Sequence, residues 1–344
     1  MRPTARAISQ FAFVAFGAIL AFAASAQSPP QYSVTRTVAL GAPDRWDYVT
    51  VDAPSHRVFI AHGDRITVVD GRDGAAVGEI RGFTGGTHGI AISHATGRGY
   101  TDDGGAGEAG SFNLETLTPI RRIKAAEDAD AMTIDPKSGH VFVVNGDTGT
   151  VTVIDPVADS AIATVNVGGK LESAVADSGK LFVNNAGRNE IDRIDTATNL
   201  VDARWPVSSC SKPHGLAMDT ATHRLFSSCV NSVLVVVDSE SGRLVGSVPI
   251  GLGTDAAAFD PKRRLIFSSN GADGTLSVIQ EKDAQTFVAL DSVHTARSAR
   301  TMGLDPDTGR IYLVAGEVAE TSSNAGHKSI VPGSLKLLFL DPSN

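Results

Sequence analysis

Seven ionisable side chains recur along the chain at one position of a repeated segment. Each stands five residues before an Asp or Ser that ends a short apolar run. The set contains four carboxylates, two imidazoles and one guanidinium: Asp47, His88, Asp130, Glu172, His214, Asp255 and Arg300. Because only 20% of the chain is charged, seven such residues in seven repeats are not expected by chance. Side chains of these types bind charged ligands, hold cations and transfer protons.

These side chains predict different chemistry according to how they are grouped. Four carboxylates in one ring repel each other, which raises their pKa values or recruits a cation. Oxygen ligands suit Ca²⁺, whereas imidazoles suit Zn²⁺, Cu²⁺ or Fe²⁺. A divalent metal ion would therefore be held by some of five residues, namely His62, His88, His214, Asp130 and Glu172. Arg300 would clamp a carboxylate or phosphate of a ligand. Alternatively, the polar residues only line a hydrated channel.

The elements that must position these residues follow from the repeat. Its seven copies are 46–52, 87–93, 129–135, 171–177, 213–219, 254–260 and 299–305, spaced 41 to 45 residues apart. In the third copy, a turn at 135–139 leads to β-runs at 140–144, 150–155 and 161–167. A period near 42 with four strands and no helical pattern indicates a β-propeller. We therefore expect an all-β, seven-bladed propeller with four-stranded blades. The seven side chains would form a ring, here called the ionisable ring, at one mouth of its channel.

The two ends of the chain are expected to close the propeller. The last repeat supplies three strands and finishes with 334–340, whereas 32–39 precedes the first repeat as a lone strand. Pairing of the N-terminal strand into the C-terminal blade would leave no open edge. Two longer connections, 102–111 and 316–332, fall on the face that carries the ionisable ring, where the second would act as a lid. Polar residues that end the second strands would add a layer there: His62, Asp103, Asn145, Asn185, Cys229 and Ser269 or Asn270.

Composition and the N-terminus point to an exported, acidic protein. Arg2 and Arg6 precede an apolar run at 11–23, and Ala24-Ser25-Ala26 fits a cleavage site. We therefore predict a signal peptide at 1–26, a single propeller domain at 27–344 and a periplasmic or secreted location. The run is shorter than a membrane span, and no later segment is long enough for one. A formal net charge of −8 disfavours nucleic acid as a partner. We expect a monomer.

The repeats resemble the YVTN family of seven-bladed propellers and, within it, the exported YncE-like proteins. The pieces that match are P-x-G-x-A-x-D at 213–219, D-P-x-x-G-x-x-[FY]-V at 135–143 and the turn Asn145-Gly146. The resemblance covers residues 31–344. It implies the propeller fold and favours a binding protein, since most members of the family lack a recognised reaction motif.

The two cysteines fall at one edge of the fifth repeat. Cys210 precedes His214 by four residues, and Cys229 ends the second strand of the same blade. In an exported chain this placement predicts a disulfide that closes a loop of about 20 residues. The competing interpretation is a metal cluster of Cys210, His214 and Cys229, which requires both thiols to stay reduced.

Two classes of function fit these observations. The first is a binding protein that holds a small molecule, an ion or a protein partner at the ionisable ring. The second is a lactonase-like or other hydrolytic propeller enzyme, in which a divalent metal ion acts as Lewis acid and a ring residue as base. The sequence contains no G-x-S-x-G, Walker, H-E-x-x-H or C-x-x-C-H motif. The sequence leaves open whether the chain is an enzyme, and the family resemblance favours binding.

Overall fold

Seven antiparallel sheets are arranged as the blades of a propeller in a computed structural model that describes residues 29–319 and 329–343. The predicted all-β fold with four strands per blade is confirmed. The predicted signal peptide lies outside the described residues and stays a prediction. The described part of the chain holds no helix with the length and hydropathy that a membrane crossing requires.

Blades 1 to 3 follow each other along the chain, and each runs from its innermost to its outermost strand. Blade 1 comprises β2 (Val49–Asp52), β3 (Arg57–His62), β4 (Arg65–Asp70) and β5 (Ala76–Arg81). Blade 2 comprises β6 (Ile90–Ser93), β7 (Arg98–Asp103), β8 (Glu108–Asn113) and β9 (Pro119–Lys124). Blade 3 comprises β10 (Ala129–Ile134), β11 (Val141–Asn145), β12 (Thr150–Asp155) and β13 (Ser160–Asn166).

Blades 4 to 6 repeat this order. Blade 4 comprises β14 (Leu171–Asp177), β15 (Lys180–Asn185), β16 (Glu190–Asp195) and β17 (Leu200–Pro206). Blade 5 comprises β18 (Pro213–Asp219), β19 (Arg224–Cys229), β20 (Val233–Asp238) and β21 (Leu244–Pro249). Blade 6 comprises β22 (Thr254–Asp260), β23 (Leu265–Asn270), β24 (Thr275–Asp283) and β25 (Thr286–Ala289), and β26 (Val293–His294) also pairs with β24.

Blade 7 joins the two ends of the chain, as the sequence predicts. It comprises β27 (Met302–Leu304), β28 (Ile311–Ala315) and β29 (Lys336–Ser343), and the N-terminal strand β1 (Gln31–Ala39) completes it. The register between β1 and β29 runs from Gln31 opposite Ser343 to Ala39 opposite Lys336. The ring is therefore closed by backbone pairing between residues 297 to 312 positions apart.

The residue that marks each repeat is a turn former. The side chain of Asp135 accepts hydrogen bonds from the backbone N–H groups of Lys137 and Ser138, and Asp305 does the same for Asp307 and Thr308. Asp side chains stabilise turns in this way. The recurring Asp thus holds the connection between the first and second strands, which explains the most regular feature of the sequence without a role in chemistry.

The first of the two predicted long connections is short in the structure. Asp102 and Asp103 belong to β7, and β8 already begins at Glu108, so a single 3₁₀ turn at Gly104–Ala106 joins the strands. Its glycines allow this compact turn, and the expectation of a long loop there was wrong. Of the second connection, residues 320–328 lie outside the described part, and its base is a β-bridge between Val318 and Ile330.

A disulfide joins Cys210 to Cys229, with the Cα atoms 5.4 Å apart. The predicted bridge is confirmed, and the competing cluster with His214 is excluded because both sulfurs are bonded to each other. The bridge connects the segment that enters blade 5 to the end of β19, next to the strand that carries His214.

Removal of the disulfide should destabilise the protein without opening blade 5. We expect the double variant Cys210→Ser, Cys229→Ser to lose about 3 kcal/mol of unfolding free energy, since the bridge closes a loop of about 20 residues. Denaturant unfolding measures this loss, and titration of free thiols in the denatured, unreduced wild type should find none. Two reactive thiols in the wild type would contradict the bridge.

The seam between β1 and β29 should limit stability. Tyr32 of β1 is 7% exposed, packs edge-on against Phe267 and donates a hydrogen bond to the carbonyl of Gly309. Truncation of a buried aromatic ring typically costs about 3–5 kcal/mol. We expect Tyr32→Ala to lose about 3 kcal/mol in denaturant unfolding, whereas Val34→Ala on the same strand, where the side chain is 39% exposed, should change little. Equal effects of the two substitutions would contradict a buried seam.

Candidate functional site

The ionisable ring belongs to the innermost strands or to the residues that lead into them. Asp130, Glu172, His214 and Asp255 lie within β10, β14, β18 and β22, and the other three precede β2, β6 and β27. All seven side chains are partly exposed, as expected around a channel mouth. Direct contacts or electrostatic coupling link each of them to at least one other member of the set. The structure therefore brings the predicted residues together at one site.

Three carboxylates of the ring are paired with cations of neighbouring blades. The Nε of Arg300 lies 2.8 Å from Asp255, and its Nη2 lies 3.7 Å from Asp47. The Nδ1 of His214 is 3.4 Å from both Glu172 and Asp255. Burial alone would lower the pKa of His214, but the adjacent Asp255 and Glu172 carboxylates outweigh it and raise that pKa. These pairs join blades 4 to 7 and blade 1 across the mouth.

His88 is held by a carboxylate of its own blade. Its Nδ1 lies 2.6 Å from Asp102, whose other oxygen accepts hydrogen bonds from the backbone N–H groups of His88 and Gly89. Burial opposes protonation of His88, but the contact with Asp102 prevails and raises the pKa of His88 to about 9. Burial also raises the pKa of Asp102 to about 6, so this pair is ionised at neutral pH.

Arg45 competes with a proton for the second nitrogen of His88. Its Nη2 lies 2.8 Å from Nε2 of His88, which accepts a hydrogen bond only when it carries no proton. Because the pKa of His88 is about 9, the proton prevails at neutral pH. The exposed guanidinium of Arg45 lies at the rim of the mouth.

Asp130 is the carboxylate of the ring that forms no direct ion pair within the described residues. Within the described residues its carboxylate has neither a hydrogen bond nor an ion pair, and the next ring position is the acidic Glu172. Burial and the charge of Asp47 raise the pKa of Asp130 well above its usual range, and the nearby His88 imidazolium only partly offsets them. The nearby cation Lys170 is bonded to Asp147 at 3.1 Å. The ion pairs of the mouth are therefore unevenly distributed, and burial favours the neutral form of the unpaired Asp130 carboxyl.

Tyr48 reaches across the channel below the ring. It belongs to blade 1, yet its hydroxyl lies 3.0 Å from Oγ of Ser173 in blade 4, and its ring packs against the apolar cluster between blades 3 and 4. Both residues directly follow a ring member in the sequence, so they lie one layer deeper. We call the space between the ionisable ring and the Tyr48–Ser173 pair the vestibule.

The other residues of the Tyr48 layer are small: Gly89, Ala131, Ser173, Gly215, Ala256 and Thr301. The convergence of the blades requires this, because a Cβ at Gly89 would collide with the backbone at Asp130, and one at Gly215 with the backbone at Ala257. Tyr48 is consequently the one large side chain of this layer.

The second predicted layer of polar residues does not enlarge this site. His62 is buried, and its two ring nitrogens lie 2.8 Å from Thr67 and 2.7 Å from the carbonyl of Pro43. Asn145 donates to Thr152 on the next strand, and Asn270 donates likewise to Ser277. Within the part of the chain that the structure describes, no three His, Cys, Asp or Glu side chains are grouped to hold a metal ion. The five residues predicted to bind metal are thus not gathered into one cluster.

Sequence reasoning missed four residues that shape the site: Arg45, Tyr48, Asp102 and Ser173. Asp102 was overlooked in favour of Asp103, although adjacent residues of a strand point to opposite faces. The signal for Asp102 was its position one residue before the strand end, which Asn184 shares. The amide of Asn184 donates to the carbonyls of His214 and Gly215, so this position supports inner strands. Tyr48 stood out as the one large residue in its layer.

The site can exchange protons and bind charged groups. Burial and the charge of Asp255 raise the pKa of Asp47 to about 7, and Arg300 only partly offsets them. Burial also raises the pKa of Glu172. Carboxyl groups that titrate near neutral pH can donate and accept protons, and they bind cations in exchange for those protons.

Comparisons with known proteins identify the fold of this chain. No family model matches the chain, and no curated protein matches it. Among solved structures, Kuenenia stuttgartiensis hydrazine synthase aligns with a TM-score of 0.68 and 13% identity, covering 77% of this chain and 91% of that one. A chain of the mitotic checkpoint complex aligns at 0.73 and 13% over 100% of both chains. The RRP9 WD40 repeats align at 0.72 and 9%, covering 92% and 99%. At these identities the likeness shows a shared β-propeller fold.

Titration of Asp47 should make stability depend on pH. The folded state holds its proton more tightly than the unfolded chain, so this contribution is present below the unfolded pKa near 3.9 and is lost as the pH rises through about 7. We expect Asp47→Asn to gain about 1–3 kcal/mol relative to the wild type between pH 5 and pH 8. Denaturant unfolding at several pH values measures this difference.

Asp283→Asn is the matched control for this experiment. The exposed Asp283 has a lowered pKa because backbone N–H groups bond to its charged form, so it stays ionised from pH 5 to pH 8. Its replacement should shift the unfolding free energy equally at every pH in that range. A difference between Asp47→Asn and wild type that does not vary with pH would contradict the raised pKa of Asp47.

Proposed function

We propose that the protein is an exported, YncE-like propeller that binds a small ligand in the vestibule, and that the ligand presents an ammonium or similar cationic group to Asp130 and Glu172. The observation that carries the proposal is the uncompensated carboxylate of Asp130 beside a second acid. A bound cation would lower the cost of holding these charges together, because it neutralises them where burial has made ionisation unfavourable.

The side chains around Asp130 leave it without an ion-pair partner, which favours pairing with an organic cation of a ligand. His88 is held by Asp102. Arg300 and His214 are held by other carboxylates of the ring, so no ring cation forms an ion pair with Asp130 within the described residues. Tyr48 places an aromatic ring and a hydroxyl below the same two blades. A cationic group among carboxylates and an aromatic ring is a recurrent mode of ammonium recognition. The disulfide supports the oxidising location that export would provide.

Titration with hexylamine tests this proposal. We expect saturable binding by isothermal titration calorimetry at pH 8 and weaker binding at pH 5. The pKa of Asp47 is about 7 and that of Asp130 is raised, so protons compete with the cation more strongly at the lower pH. Asp130→Asn should weaken binding about tenfold, since one charge-assisted contact is lost. Asp283→Asn, which removes a distant exposed carboxylate, should bind hexylamine as the wild type does.

Two results would overturn the proposal. One is the absence of saturable hexylamine binding, and the other is equal binding by the wild type and Asp130→Asn. Elemental analysis of protein purified without chelators should accompany the titration. A stoichiometric divalent ion that is lost in Asp130→Asn would show that the vestibule holds a metal ion in place of an organic cation.

A further inference from the structure

A cavity adjoins the ionisable ring on the side opposite blades 3 and 4. It has a volume of about 430 Å³ and lies where the entry to blade 1 meets the connection between blades 6 and 7. Its walls include three arginines, one tryptophan and two aliphatic side chains: Arg45, Arg297, Arg300, Trp46, Val318 and Ile330. The cavity is thus both cationic and apolar, in contrast to the vestibule.

The charges of this cavity are not balanced by its own residues. Asp44 is its one carboxylate, and that side chain already accepts a hydrogen bond from the backbone N–H of Gly333 at 2.8 Å. Arg297 is exposed and forms no ion pair within the described residues, and Arg300 keeps a side-chain exposure of 41% despite its contacts with Asp255 and Asp47. Planar guanidinium groups bind carboxylates with paired hydrogen bonds.

The indole N–H of Trp46 is an independent observation that points to a ligand in this cavity. Trp46 is 5% exposed, and its Nε1–H has no acceptor among the described residues. A buried donor is nearly always satisfied, by protein, water or ligand. The Arg300 guanidinium lies 5.3 Å from the centre of its ring, so the same side chain that meets the ring carboxylates also covers the tryptophan. Val318 and Ile330 offer apolar surface on the other wall.

We propose that this cavity binds the carboxylate end and the apolar body of the ligand whose cationic group lies in the vestibule. The inference rests on the proposed function and adds the ligand class: an amphoteric molecule with a carboxylate and an ammonium group at opposite ends of an apolar chain. The arginines lie at the entry to blade 1 and between blades 6 and 7, whereas Asp130 and Glu172 lie at blades 3 and 4. Each end of such a ligand would therefore meet side chains of the opposite charge.

Tyr48 gives the length that the ligand must span. Its side chain extends from blade 1 to a hydrogen bond with Ser173 of blade 4, one layer below the ring. A ligand that joins the same two sides therefore separates its charges by about the length of one extended tyrosine side chain. An α-amino acid holds its two charges too close together, whereas an ω-amino acid with five intervening methylenes is long enough.

Three probes with the same six-carbon chain test the inference: hexanoate, hexylamine and 6-aminohexanoate. We expect hexanoate to bind the wild type and to bind Arg297→Gln about tenfold more weakly. Arg36→Gln, which alters an exposed arginine of β1, should leave hexanoate binding unchanged. Linking the two charged ends should make 6-aminohexanoate bind at least about tenfold more tightly than either half-ligand. Calorimetry at pH 8 measures all three affinities.

The outcomes separate this inference from the proposed function. If hexylamine binds through Asp130 but hexanoate does not bind, or binds Arg297→Gln as well as wild type, the cavity is not an anion site and the inference is overturned. If hexanoate binds through Arg297 and hexylamine does not bind, the proposed function is overturned. If both half-ligands bind and 6-aminohexanoate is no tighter than the better of them, the two sites do not share one ligand and the inference is again overturned.

Discussion

The closure of the ring by β1 and β29 is the constraint on which the site depends. Seven inner strands can face a common axis only if the last blade is complete, and its fourth strand comes from the other end of the chain. Closure fixes the distance between neighbouring inner strands and so forces like charges into proximity. The raised pKa values of Asp47, Asp130 and Glu172 arise from this geometry together with burial. Repulsion between these carboxylates opposes folding, and the backbone hydrogen bonds between β1 and β29 help to offset it.

The ion pairs of the ionisable ring are distributed unevenly around the channel mouth. Arg300 and His214 each contact two carboxylates, whereas Asp130 contacts no cation in the described residues. A protein that only needed a hydrated channel would gain stability from a neutral residue at position 130. An acid at position 130 therefore lowers the stability of the fold, as residues of binding sites commonly do. The neighbouring cluster of arginines has the opposite excess, and the two together make a dipolar surface.

Much of this architecture could be predicted from the sequence, because the repeat period and the turn-forming Asp are local signals. The seven ring positions were also predictable, since one register along seven equivalent strands gives seven equivalent places. Contacts between blades could not be predicted in the same way. The bond of His88 to Asp102 depends on which of two adjacent acids faces the inner strand. His62 was expected near the channel, but Thr67 and Pro43 occupy its nitrogens. The compact turn at Gly104–Ala106 depends on backbone freedom that composition alone does not locate.

Tyr48 breaks the rotational symmetry of the propeller. A seven-fold repeat with equivalent inner residues would offer a ligand several nearly identical orientations around the axis. Tyr48 removes that equivalence, because its side chain extends from blade 1 to blade 4 and the other residues of its layer are small. The mouth therefore has one distinguishable direction around the axis, although the scaffold around it is repetitive.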